Sequence, residues 1–142
     1  MKGSYIYTLF QEEPARTLAD GHIFINAPDL ADAQIDPRTG YWHCDIENHD
    51  KLTWSDTVNA LFGLPAGTPV TRDWAVAHYA DHSKMALERV RRYALSRKMG
   101  FILDAEIHPE GGNSRWIRVL AIPILAEQGN RVVELHGLKR PL

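Results

Sequence analysis

The chain has 142 residues, 44% of them hydrophobic, one cysteine and a formal charge of −2. That balance excludes a disordered protein and fits one domain with a sizeable core. The lone Cys44 excludes an internal disulfide or a multi-cysteine metal site and fits a reducing compartment. No apolar run approaches the roughly 20 residues of a membrane helix. The small net charge gives no general pull toward nucleic acid or an anionic membrane. The expectation is a cytoplasmic protein with neither as partner. Charge is nevertheless uneven: residues 1–50 hold nine acids and three bases, the remainder nine acids and thirteen bases.

Residues 1–38 read as an extension. Pro14, Gly21, Pro28 and Pro37 punctuate it, so long regular elements are not expected. Tyr5 to Phe10 is too short for a secretory leader and is followed by Glu12 and Glu13. His22 to Ile25 suits a short strand, and Pro28 to Ala33 a short helix. Asp36-Pro37-Arg38-Thr39-Gly40 is a turn signal that opens the domain, set at residues 39–138.

Two short strands follow, Gly40 to Ile46 and Lys51 to Ser55, then a short-helix region from Asp56. The strongest helical pattern is Asp81 to Lys98. Asp81 is placed to cap it, Leu87, Val90 and Ala94 share one face with Ala86 and Tyr93 beside them, and Gly100 stops it. The other faces are strongly basic, which suits a solvated surface or an acidic partner better than nucleic acid. Phe101 to His108 alternates cleanly, with Asp104 and Glu106 toward water. Arg115 to Leu125 differs: Ile117, Val119, Ala121 and Pro123 line one face, and Trp116, Leu120, Ile122 and Ile124 the other, around Arg118. A strand apolar on both faces is central and covered on both sides. The extension and a second copy of the chain are the two candidates for its outer cover. Val132 to Leu138 forms the last strand, and residues 139–142 read as a tail.

These pieces resemble PAS domains, in the branch with a Gly-x-Trp opening and an Arg-Trp in the penultimate strand. The matching residues are Gly40-Tyr41-Trp42 with Asp45, Trp54-Ser55, Leu61-Phe62-Gly63 and His78-Tyr79-Ala80-Asp81. Gly112-Asn113-Ser114-Arg115-Trp116-Ile117, Pro123, Gly129 and Gly137 complete the set. The resemblance implies an α+β fold: a five-stranded antiparallel sheet in order 2-1-5-4-3, with helices enclosing a pocket on one face. It implies sensing of a small molecule, cofactor, redox state or light, or pure protein association. It also implies dimerisation through the outer sheet face and an N-terminal cap, a signalling partner and no catalysis.

On that frame the pocket candidates are Phe62, Tyr93, Leu103, Val119 and Ala121, with Trp54 and Trp74 near the rim; simple core packing is the competing reading. The dimer or cap candidates are Trp116, Leu120, Ile122 and Ile124. The cofactor is unknown. The flavin branch needs a helical Asn-Cys-Arg, which a strand Cys44 does not supply. The haem branch needs an axial histidine near the long helix, for which His78 and His82 are the weak candidates. His43, Asp45 and His49 lack a third ligand at fixed spacing, so no metal site is expected. A small α+β enzyme with a pocket carboxylate and a histidine or tyrosine is the runner-up. The chain carries no kinase, cyclase or DNA-binding segment and no Asp-Ile-Thr-like junction, which leaves a stand-alone module or a fragment open.

Overall fold

Strand pairing organises the molecule. In the computed structural model, which describes residues 7–10, 16–17, 23–24, 37–128 and 131–142, the strands are β1 (Tyr7–Phe10), β2 (Arg16–Thr17), β3 (Ile23–Phe24), β4 (Gly40–Asp45), β5 (Lys51–Trp54), β6 (Gly100–Ile107), β7 (Arg115–Leu125) and β8 (Val132–Pro141). Three helices separate β5 from β6: α1 (Asp56–Leu61), α2 (Arg72–Ala77) and α3 (Asp81–Arg97). The main sheet runs β1-β6-β7-β8-β4-β5 with every pairing antiparallel, and β2 and β3 form a separate ribbon. Without β1, this is the five-stranded order expected. The extension adds a sixth strand along the open edge of β6, pairing Tyr7 with Leu103 and Leu9 with Phe101. The proposed helix at residues 28–33 and the turn at Gly129-Asn130 lie outside the described residues.

One face of the sheet carries the core. Phe101, Leu103, Ala105 and Ile107 of β6 are buried there with Ile117, Val119 and Ala121 of β7. Val58, Phe62, Tyr79, Val90 and Ala94 meet them from the helical side. β7 is central, between β6 and β8, as a doubly apolar strand must be. The helical layer is pinned by side chains that satisfy backbone groups. The Ser83 hydroxyl accepts the Glu106 amide at 2.8 Å, and Asn59 Nδ2 donates to the Thr68 carbonyl at 2.9 Å. Both residues are buried.

Four expectations are corrected. Asp81 is the first helical residue and not the cap; Ala80 holds that position with no side-chain bond, and Asp81 instead faces Lys84 at 3.9 Å. The helix ends at Lys98 in the left-handed conformation (φ 57°), so Gly100 begins β6 instead of stopping α3. Residues 139–141 are no tail: β8 continues through them, pairing Lys139 with both Gly40 and Val119. Finally, Leu120 and Ile122 are 0% and 1% exposed within a single chain, so a second copy is not needed to cover them. Ile124 is half-buried and Trp116 is 41% exposed. No helix among the described residues is long and apolar enough to cross a membrane.

Candidate functional site: a lysine enclosed by aromatic rings

The continuation of β8 sends Lys139 inward, because alternation along a strand puts Leu135, Gly137 and Lys139 on the same face. Its ammonium nitrogen lies 5.0–5.5 Å from the ring centroids of Trp54, Phe62, Trp42 and Tyr79. It donates to the Tyr79 hydroxyl at 3.0 Å. Lys139 is only 5% exposed. Burial pushes its pKa down to about 7, with the charge of Cys44 acting in the opposite sense. Burial likewise pushes the Tyr79 hydroxyl well above its ordinary range. The π faces of four rings favour a cation, yet no carboxylate stands beside it to compensate lost hydration among the described contacts.

Each part of this enclosure has a local cause. Trp42 lies across β8 opposite Gly137, and its indole N–H donates to the Leu138 carbonyl at 3.3 Å. A Cβ at Gly137 would come within 2.8 Å of that indole nitrogen and 1.8 Å of the Leu120 carbonyl oxygen. Phe62 follows α1, where its carbonyl accepts from the Glu110 amide at 2.9 Å. Tyr79 bridges α2 to the end of β6 by an isolated pairing with Ile107. Trp54 packs against Phe62, the ring centroids 4.5 Å apart and the planes tilted by 33°.

A cavity of about 60 Å³ opens beside Lys139. Trp42, Cys44, Tyr79, Phe101 and Val119 line its interior, and Arg72 and Arg91 stand with them. Arg91 is held by Asp50 at 2.7 Å and Arg72 by Glu88, so the helical side of the cavity is ringed by ion pairs. Burial raises the Cys44 thiol pKa; Asp50 adds to the effect, and the two arginines oppose it. Three basic side chains, Arg72, Arg91 and Lys139, thus line one small space. Among the described residues no carboxylate lines it.

Of the residues expected at the pocket, Val119 lines the cavity and Trp54 and Phe62 wall the lysine. Trp74 stacks on His78 at 3.7 Å and meets Trp54 edge-on. Leu103 and Ala121 are packed in the core and are not among the cavity-lining residues. Tyr93 is not there either; it lies half-buried under the Arg97 guanidinium at 4.5 Å. The His78 ring nitrogens contact the Trp74 carbonyl at 2.8 Å and Glu110 at 2.6 Å, which occupies both possible ligand atoms. His82 is exposed on the first turn of α3, 3.5 Å from Glu106 and near the Trp116 ring. Neither histidine lines the cavity. Sequence reasoning missed Lys139, Tyr79, Trp42, Arg72 and Arg91. Alternation continued past Leu138 would have placed Lys139 inside.

No family model matches the sequence, and no curated protein matches it. Solved structures do match. An RNA-binding light-oxygen-voltage receptor superposes with a TM-score of 0.63 at 14% identity over 73% of this chain, which spans 29% of that one. The N-terminal domain of a diguanylate cyclase with a PAS/PAC sensor, from Marinobacter aquaeolei, gives 0.62 at 14% identity, covering 72% of this chain and 94% of the other. The PAS domain of the fruit-fly ELK potassium channel gives 0.58 at 18% identity, covering 80% and 95%. At such identities the likeness establishes architecture. The chain has the PAS fold: antiparallel strands in order 2-1-5-4-3 with three helices on the core face.

Proposed function

We propose that this chain is a non-catalytic sensory and signal-transduction domain that takes a compact anion, such as a small carboxylate, into the Lys139 cavity. The observation that carries the reading is a buried ammonium with no carboxylate partner, beside a cavity flanked by Arg72 and Arg91. An anion there would supply the charge compensation that the enclosure lacks. The volume suits a ligand of a few heavy atoms and falls far short of the roughly 300 Å³ and more typical of larger ligands. The lining offers a lysine and a tyrosine without a carboxylate, which favours sensing over the acid–base enzyme considered as the alternative. Solved proteins sharing the fold include a domain described as a sensor of a diguanylate cyclase.

Occupancy would act by population shift, favouring one packing of helices on sheet over another. The reading places the domain in the cytoplasm, as a homodimer or bound to a signalling protein. Contact would use the open part of the outer face at Trp116 and Ile124. A second reading, association with no ligand, is favoured by the small cavity volume. Native mass spectrometry with an absorbance spectrum, followed by calorimetric titration with acetate and nitrate, separates the two. One anion bound per chain, lost in Lys139→Met, supports the sensor. A dimer that never binds either anion supports the association module.

A further inference from the structure

On the opposite face of the sheet from the cavity, strand register unites residues that lie far apart in sequence. His43 of β4 pairs directly with His136 of β8, and their rings sit 5.2 Å apart at 39°. Glu134 precedes His136 by two residues on β8, so it shares that face, and its carboxylate accepts a hydrogen bond from His136 Nε2. One donor atom from each of the three lies within 4.8 Å of the others. We propose that His43, Glu134 and His136 form a binding site for a divalent transition-metal ion of the zinc class.

Two orphaned atoms make this more than a cross-strand pair. His43 Nδ1 and His136 Nδ1 are both buried with no hydrogen-bond partner. Buried polar atoms are otherwise paired in folded proteins, because an unmet one forfeits its hydration for nothing. His78 shows the usual outcome, with both ring nitrogens engaged. His136 is only 6% exposed, so water reaches it poorly. Two imidazoles and one carboxylate suit zinc, cobalt and their neighbours, whereas calcium and magnesium prefer oxygen alone. Bond lengths of about 2.0–2.1 Å put tetrahedral donors roughly 3.3 Å apart, so a modest swing of the half-exposed His43 and Glu134 side chains closes the site. The inference does not rest on the cavity reading.

The test uses the untagged, metal-free full chain. Calorimetric titration with Zn²⁺ is expected to give one ion per chain, at least tenfold weaker binding in His43→Gln and in Glu134→Gln, and no change in His49→Gln, an exposed control on the turn after β4. Co²⁺ should give a visible d–d spectrum without a thiolate charge-transfer band, since Cys44 faces the other side of the sheet. His136→Gln is secondary, because a buried change there also threatens the fold. Absent or non-saturable zinc binding, binding unchanged in His43→Gln and Glu134→Gln, loss in His49→Gln, or a thiolate band would each overturn the proposal.

Discussion

Lys139 governs behaviour at the level of single side chains. Its pKa falls from 10.5 in the unfolded chain to about 7 in the folded one. Between those values the unfolded chain holds the extra proton, so folding stability rises with pH across that window, and the cost of burial is fully felt below it. Replacing Lys139 with Met is expected to stabilise the fold near neutral pH by a few kcal/mol, on the order that such a shift implies. The advantage should fade by about pH 10. Urea midpoints of both proteins across this range test it; a constant difference would contradict it. Gly137 is the complementary case. A methyl there meets the Leu120 carbonyl oxygen at 1.8 Å, so Gly137→Ala should cost at least roughly 1–3 kcal/mol, read from the same midpoints. Individual side chains were also the level at which sequence was least informative. Trp54, Phe62 and Val119 were legible as inward-facing apolar residues, but a lysine at the end of an alternating strand reads as surface by composition. The His43 and His136 pair was invisible for another reason: only strand register brings residues so far apart in sequence together.

Among the elements, β6, β7 and β8 were legible because their alternation is strong. The bounds of β7 coincide with the apolar run from Arg115 to Leu125. The edge strand β1 was not, since four residues carry little periodicity and their partner lies about ninety positions downstream. Helix α3 was legible as a helix, yet its start was misplaced by one residue because Asp81 resembles a cap in sequence. What anchors that start is Ser83, whose hydroxyl accepts the Glu106 amide. Ser83→Ala should leave a buried donor unmet and cost about 1–3 kcal/mol, checked by denaturant unfolding; a neutral effect would show that water replaces the bond. The outer face of β7 makes a related point. Because Ile122 is buried within one chain, Ile122→Glu should unfold the protein and not simply yield a folded monomer. Circular dichroism with sedimentation distinguishes the two outcomes.

For the whole molecule, β8 links two sites on opposite faces. Lys139 and Leu135 line the cavity, while His136 and Glu134 belong to the paired cluster behind it. The cavity also sets a sign for ligand binding. An anion favours the ammonium form of Lys139, so binding above pH 7 requires proton uptake, and affinity should weaken as pH rises beyond that point. Arg72 and Arg91 line the same cavity, each held by its own carboxylate partner.

The most direct measurement is nitrogen-detected NMR of the Lys139 side chain, assigned by its loss in Lys139→Met and followed through pH with and without acetate. The account predicts titration near neutrality and an upward move when the anion is added. Titration near the ordinary lysine value, with no response to acetate, would contradict it.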